Sequence, residues 1–240
     1  ETVMGVDGRD QLHADVDRML RTRARITYLC STNNPTGGAL SREAVEKIVE
    51  GAAGLVIIDQ AYVEFGGESF IDILSSRRPV LITRTMSKAF GLAGLRVGFA
   101  IARPEVIARL NPYRPPGSVS VISVTIATEA LLDDTVLTAN LERVARERTR
   151  LSERLAQAGW SVGPSVTNVV LIDFDTAERA ASVAEAMLGR GVVPRTFPSG
   201  HPLASHLRLP VRDPGENDRP SPGAPDLAGA VSRRHPRRRR

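Results

Sequence analysis

The feature that most constrains the fold is a repeated unit: a short β-branched apolar run, a polar turn, then a stretch carrying helix signals. The runs Ile26 to Cys30, Leu55 to Asp59 and Val80 to Arg84 are each five residues long. They are too short for helices and read as buried strands. After the first run, Asn33-Asn34-Pro35-Thr36-Gly37-Gly38 is dense in turn chemistry, and Ser41 caps a helix expected to run to about Ala53. A further helix is expected at Ser69 to Ser75, just before the third run. Strands alternating with helices imply a parallel sheet joined by right-handed crossovers. Open α/β sheets bind ligands beyond the carboxyl ends of their strands, so chemistry is sought there.

The remaining segments extend this frame. Gln11 to Arg23 reads as a helix, Arg96 to Ala102 as a fourth strand, and Pro104 opens a short helix from its first turn. Residues 112 to 117, Pro-Tyr-Arg-Pro-Pro-Gly, are expected to be irregular. An apolar helix follows from Ser120 to about Asp133, then a long charged one from Val136 to Ala158, ending at Gly159. Strands at Asn168 to Phe174, Val192-Val193 and Leu207-Arg208-Leu209, with a helix at Ala177 to Gly189, indicate a smaller α+β domain. The division expected is a partial large domain over 1–135, a linking helix over 136–159, a small domain over 160–213 and a disordered tail over 214–240. Pro220, Pro222 and Pro225 argue against regular structure in that tail.

Charge and composition exclude several classes. The net charge of +5 invites a nucleic-acid reading, but six of the last eight residues are arginines. Removing those six leaves the remainder near −1. Nucleic-acid binding is therefore expected only of the basic tail, where it would weaken with salt. No apolar run approaches the roughly 20 residues that span a bilayer, and no secretory signal pattern opens the chain. A cytoplasmic protein without membrane contact is expected. The single cysteine, Cys30, and four histidines without ligand spacing lead us to expect neither disulfide nor metal. The opening residues, starting on Glu1, read as the middle of a longer protein.

The chemistry concentrates in Thr85-Met86-Ser87-Lys88-Ala89-Phe90-Gly91-Leu92-Ala93-Gly94-Leu95-Arg96-Val97-Gly98, directly after the third strand. Lys88 and Lys47 are the only lysines. A lysine amine can form a Schiff base with a carbonyl, which a guanidinium cannot. Asp59 ends the second strand, where it could pair with a pyridine nitrogen or be satisfied by backbone amides. Tyr62 and Asn34 could each donate to a ring oxygen. Thr85, Ser87 and Arg96 could hold a phosphate. The glycines match neither the dinucleotide fingerprint nor a phosphate-binding GxxxxGK loop, which disfavours a nucleotide.

These three stretches, Asn33 to Gly37, Asp59-Gln60-Ala61-Tyr62-Val63-Glu64-Phe65 and Thr85 to Gly98, resemble the pyridoxal-phosphate aminotransferases of fold type I. Within that family the likeness is strongest to histidinol-phosphate aminotransferases and their aromatic-amino-acid relatives. The resemblance runs from about Tyr28 to Asp218. It implies an α/β fold with a mostly parallel large domain and a smaller α+β domain, and pyridoxal 5'-phosphate as cofactor. It makes Lys88 the Schiff-base and proton-carrying lysine, Asp59 the partner of the pyridine nitrogen, and Tyr62 and Asn34 the contacts to the ring hydroxyl. Ser87 and Arg96 would hold the cofactor phosphate, with Thr85 a weaker candidate. Arg208, in Leu207-Arg208-Leu209-Pro210-Val211, matches the arginine that clamps a substrate carboxylate. Arg195 matches a position that in histidinol-phosphate enzymes helps to bind the substrate phosphate. It could otherwise be a solvated charge.

The implied reaction is transamination between histidinol phosphate and 2-oxoglutarate in histidine biosynthesis, by a homodimer with active sites at its interface. An aromatic donor such as phenylalanine is the alternative within the family. A reading of another class is an inactive remnant or interaction protein. It follows from departures: the family carries well over a hundred residues before its first motif here, among them a phosphate-binding turn and an aromatic that stacks on the cofactor. Pro210 replaces a usual β-branched residue, Ser118 stands where relatives often have asparagine, and the Arg/Pro-rich end resembles the product of a lost reading frame. The chain is accordingly expected to be an N-terminally truncated fragment with an altered end.

Overall fold

The structure, a computed structural model, describes residues 4–6 and 12–219. The expected arginine-rich tail over 220–240 lies outside the described residues. Met4–Val6 (β1) and Leu12–Ala14 (β2) pair antiparallel. The helix expected over Gln11 to Arg23 is thereby shortened to Val16–Arg21 (α1). Asp15 is the reason: its Oδ1 accepts from the Arg18 N–H at 3.0 Å, an N-cap that starts the helix there.

The first sheet has the order Ile26–Cys30 (β3), Leu55–Asp59 (β4), Val80–Thr85 (β5) and Gly98–Ala102 (β6). The first three run parallel and β6 runs antiparallel to β5. Arg42–Gly51 (α2) connects β3 to β4, capped by Ser41, whose Oγ accepts from the Ala44 N–H at 3.2 Å. Its buried Val45, Ile48 and Val49 recur at helical spacing and pack with Leu29, Val56, Ile58, Phe70, Val80 and Ile82. The helix expected at Ser69 to Ser75 is a 3-10 segment over Ile71–Ser75. On the opposite face the β3 edge is exposed, with Ile26 at 59% and Tyr28 at 56%, while Leu81 on β5 is buried. It is through this face that the end of β4 is reached.

One further correction concerns the turn after β5. The fourth strand starts at Gly98, not Arg96, because Arg96 adopts a left-handed conformation with φ 55°. It also runs antiparallel, since a turn rather than a crossover helix leads into it. Pro104–Leu110 (α3) follows, then a 3-10 turn over Asn111–Tyr113 within the stretch expected to be irregular. Val121–Leu132 (α4), capped by Ser120, is apolar nearly all round, yet only Ser123 and Ala127 are buried.

Thr135–Gln157 (α5) leads into a second sheet with the order Ser161–Val162 (β7), Val169–Asp173 (β8) and His206–Pro210 (β9), all antiparallel. Ala177–Leu188 (α6) and α5 cover it through Val144, Leu151, Leu155, Val183 and Met187, packed on Val170, Ile172, Leu207 and Leu209. Tyr62, Phe65 and Ala89, from the loops after β4 and β5, belong to this same buried cluster. The core of the second unit thus grips the loops that carry the first unit's candidate site residues. No strand forms at Val192-Val193; the pairing shifts to a single bridge between Arg195 and Arg208. Pro210 ends the edge strand, where a missing N–H is tolerated, and the Val211 N–H continues to the Asn168 carbonyl at 2.8 Å.

The absence of structure expected from residue 214 is corrected for Pro214–Asn217, a short helix (α7) with proline in its first turn. It is anchored by polar groups. Buried Asn217 donates to Glu147 Oε2 at 3.0 Å and to the Arg212 carbonyl at 2.7 Å, and accepts from the Arg212 N–H at 2.8 Å. Glu147, also buried, takes two bonds from Arg150, at 2.8 and 3.0 Å. Asp218 accepts from Arg150 at 2.6 Å and also from Arg154.

The Arg150 bonds hold the Glu147 carboxyl below its ordinary value of 4.5, against the opposing effect of burial and with help from Asn217. A carboxyl depressed by folding contributes stability above its unfolded value, and that contribution is lost as pH falls through the folded value. Urea midpoints should therefore drop on acidification below about pH 4.5, and Glu147→Gln should flatten that dependence. At neutral pH Asn217→Ala should cost about 1–3 kcal/mol in the same assay.

Candidate active site

Every expected site residue of the first unit lies at or beyond a strand's carboxyl end. Asn34 follows β3, Asp59 ends β4, Tyr62 stands three residues later, Thr85 ends β5, and Ser87 and Lys88 enter the next turn. The turn is held from beneath. Met86 and Ala89 are fully buried, the Met86 N–H donates to the Val97 carbonyl at 3.1 Å, and the Leu92 N–H donates to the Met86 carbonyl at 3.0 Å. Asn140 on α5 adds a bond from Nδ2 to the Ala89 carbonyl at 2.6 Å. Lys88, between these anchors, is exposed, with Nζ 5.2 Å from the centroid of the buried Tyr62 ring.

Asn34 occupies the centre. Its Nδ2 donates to Tyr62 Oη at 3.0 Å, and its Oδ1 accepts from Arg208 Nη1 at 2.9 Å. One carboxamide therefore joins the loop after β3, the loop after β4 and strand β9. Arg195 comes beside Arg208 through reciprocal backbone bonds, both at 3.0 Å. The Nε of Arg208 is buried without a hydrogen-bond partner. Burial lowers the pKa of this guanidinium, Tyr62 acts in the opposite sense and neighbouring Arg195 lowers it further. Two cations side by side make a site suited to anions.

Asp59 has both oxygens engaged: Oδ1 accepts from the Ala61 N–H at 2.9 Å, and Oδ2 accepts from the phenol of Tyr28 on β3. The phosphate candidates are less gathered. Thr85 Oγ1 donates to the Val97 carbonyl at 3.3 Å and accepts from the Ser87 N–H at 3.1 Å, so it shapes the turn. Arg96 is exposed and donates from Nη1 to the Ala93 carbonyl at 3.0 Å within the same turn.

Tyr28 and Asn140 escaped sequence reasoning. For Tyr28 a signal exists, because it lies two residues before Cys30, the register partner of Asp59, and so shares its face of the sheet. For Asn140, one polar position on a charged helix, there is none. Among the described residues no group of three or more His, Cys, Asp or Glu could hold a metal ion, and no helix is long and apolar enough to cross a membrane.

Comparison with known proteins identifies the family. The family profile described as aminotransferase class I and II matches residues 5–219. The chain belongs to that family. A histidinol-phosphate aminotransferase of Thermoanaerobacter sp. (strain X514) is 35% identical over 215 residues, which cover 88% of this chain and 60% of that protein. An aromatic amino acid aminotransferase of Rhodococcus erythropolis is 36% identical over 211 residues, covering 85% and 57%. The crystal structure of histidinol-phosphate aminotransferase from Sinorhizobium meliloti, in complex with pyridoxal-5'-phosphate, superposes with a TM-score of 0.83 at 26% identity, covering 92% of this chain and 63% of the other. The chain thus spans about 60% of the length of the curated relatives it matches.

The Asn34 bridge can be tested without any ligand. Tyr62→Phe removes the acceptor of Asn34 and leaves the buried ring in place. It should cost about 1 kcal/mol in denaturant unfolding, and Asn34→Ala should make the Tyr62→Phe change nearly silent.

Proposed function

We propose that this chain carries the cofactor and substrate groups of a pyridoxal-phosphate-dependent aminotransferase of the histidinol-phosphate type, acting as a cytoplasmic homodimer. The observation that carries the reading is the continuous set Lys88, Tyr62, Asn34 and Arg208, in which an amine, a phenol, a carboxamide and a guanidinium converge. The residues fit the cofactor part by part. Asp59 offers a carboxylate to a protonated ring nitrogen, Tyr62 and Asn34 offer polar hydrogens to a ring hydroxyl, and Ser87 and Arg96, with Thr85 secondary, offer donors to a phosphate. Bound there, pyridoxal phosphate would supply an electrophilic aldehyde and a ring that accepts electron density.

The remaining work falls to the protein. Lys88 is exposed beside the Tyr62 ring and is the group to take and return the proton at the substrate α-carbon. Asn34 holds Arg208 by Nη1 alone, and the guanidinium so oriented is the candidate clamp for the carboxylate of an amino acid or 2-oxo acid. Arg195, next to it, is the candidate for a second anion, the phosphate of histidinol phosphate. The dimer is supported by α4: Val121, Ile122 and Leu132 are 82%, 70% and 77% exposed on a helix whose composition suits an interior. The similarity of the Rhodococcus protein keeps an aromatic amino donor as the second reading.

Borohydride reduction in the presence of pyridoxal phosphate, followed by peptide mapping, tests the proposal. The label should fall on Lys88 and disappear in Lys88→Ala. Label elsewhere, or retained in that variant, refutes it. Arg195→Gln should weaken histidinol phosphate binding by roughly tenfold or more while sparing phenylalanine; equal loss for both donors favours the aromatic reading.

A further inference from the structure

Tyr28 is unusual for a strand residue. Within the described chain it is 56% exposed, and its polar end makes the contact that sets it apart. Its phenol reaches across to the neighbouring strand and donates to Asp59 Oδ2. The register pairs Tyr28 with Ile57 and Cys30 with Asp59, which places phenol and carboxylate on one face at a fixed diagonal offset.

The torsion that turns a carboxylate plane is soft and roughly two-fold. The Ala61 N–H holds Oδ1 only, at 2.9 Å, and one bond leaves the plane free to swing about it. A second donor on Oδ2, mounted on a rigid ring, removes that freedom. We propose that Tyr28 is a positioning residue for the cofactor: it fixes the Asp59 carboxylate in the orientation in which it receives the pyridine nitrogen. The inference rests on the reading of Asp59 given above. Oδ2 remains competent because a carboxylate oxygen accepts more than one hydrogen bond. The contact also marks Tyr28 itself, since burial first, and then the Asp59 hydrogen bond and charge, with a smaller effect of Cys30, push its phenol above the ordinary value of 10.0.

The test is a double-mutant cycle on the full chain, read as pyridoxal-phosphate affinity from the visible absorbance of the bound cofactor. Asp59→Asn should weaken binding, Tyr28→Phe should weaken it about tenfold, and Tyr28→Phe should add nothing in the Asp59→Asn background. If Asp59→Asn has no effect, or the parent shows no saturable binding, the reading of Asp59 fails and the inference with it. If Asp59→Asn weakens binding but Tyr28→Phe does not, or weakens it equally in both backgrounds, the inference alone is overturned. Tyrosinate absorbance of the cofactor-free chain gives a second measurement that needs no folded Tyr28 variant. Only three tyrosines are present, and one should ionise late, moving to lower pH in Asp59→Asn. Unchanged titration in Asp59→Asn denies the contact.

Discussion

The site depends on one carboxamide. Asn34 donates to Tyr62 and accepts from Arg208, using both ends of its side chain. The two roles cannot be exchanged: turning the amide over would set N–H groups against a guanidinium that has only donors. Its orientation is thus dictated by Arg208. The phenol it holds is pinned from behind by the core shared with Leu151, Leu155 and Val170. Through this residue the second sheet's arginines are registered against the strand ends of the first.

That registration explains how modest local structure yields a defined cluster of polar groups. The parallel strands β3 and β4 end together, with Cys30 beside Asp59, while β5 continues past Thr83, the partner of Asp59, to Thr85, and Asn34 follows from the loop after β3. The turn after β5 carries only a short 3-10 segment, Ala93–Leu95, and is fixed chiefly by buried Met86 and Ala89 and by the Asn140 side chain on α5. The lysine it presents is exposed while its two flanking anchors are buried. Reactive groups placed on anchored turns keep their reach without losing position.

Much of this was legible in the residues. The strands β3, β4 and β5 announced themselves as β-branched runs, and Ser41 marked the start of α2 by a capping preference with a clear mechanism. The direction of β6 was not legible, because antiparallel return needs only a turn and the glycines there permit either course. Arg96 looked like strand and is left-handed, a conformation that no side-chain pattern declares. Asn217 hid in a stretch dominated by proline, since its anchor is a buried carboxylate 70 residues away in sequence. The partnership of Tyr28 with Asp59 needed the register between strands, which sequence periodicity alone does not supply. The site motifs were readable as chemistry, but the gathering of Asn34, Tyr62 and Arg208 around one amide required the packing of the two sheets.

The account's central claim is that the lysine turn and the paired arginines form a single site. Two ligands on one site that share a bridging residue must influence each other's affinity reciprocally. The most direct measurement is therefore a pyridoxal-phosphate titration of the purified chain with and without saturating 2-oxoglutarate. The account predicts tighter cofactor binding in its presence, with the effect abolished by Arg208→Gln. Superimposable titration curves, with the cofactor bound equally well in both, would contradict it.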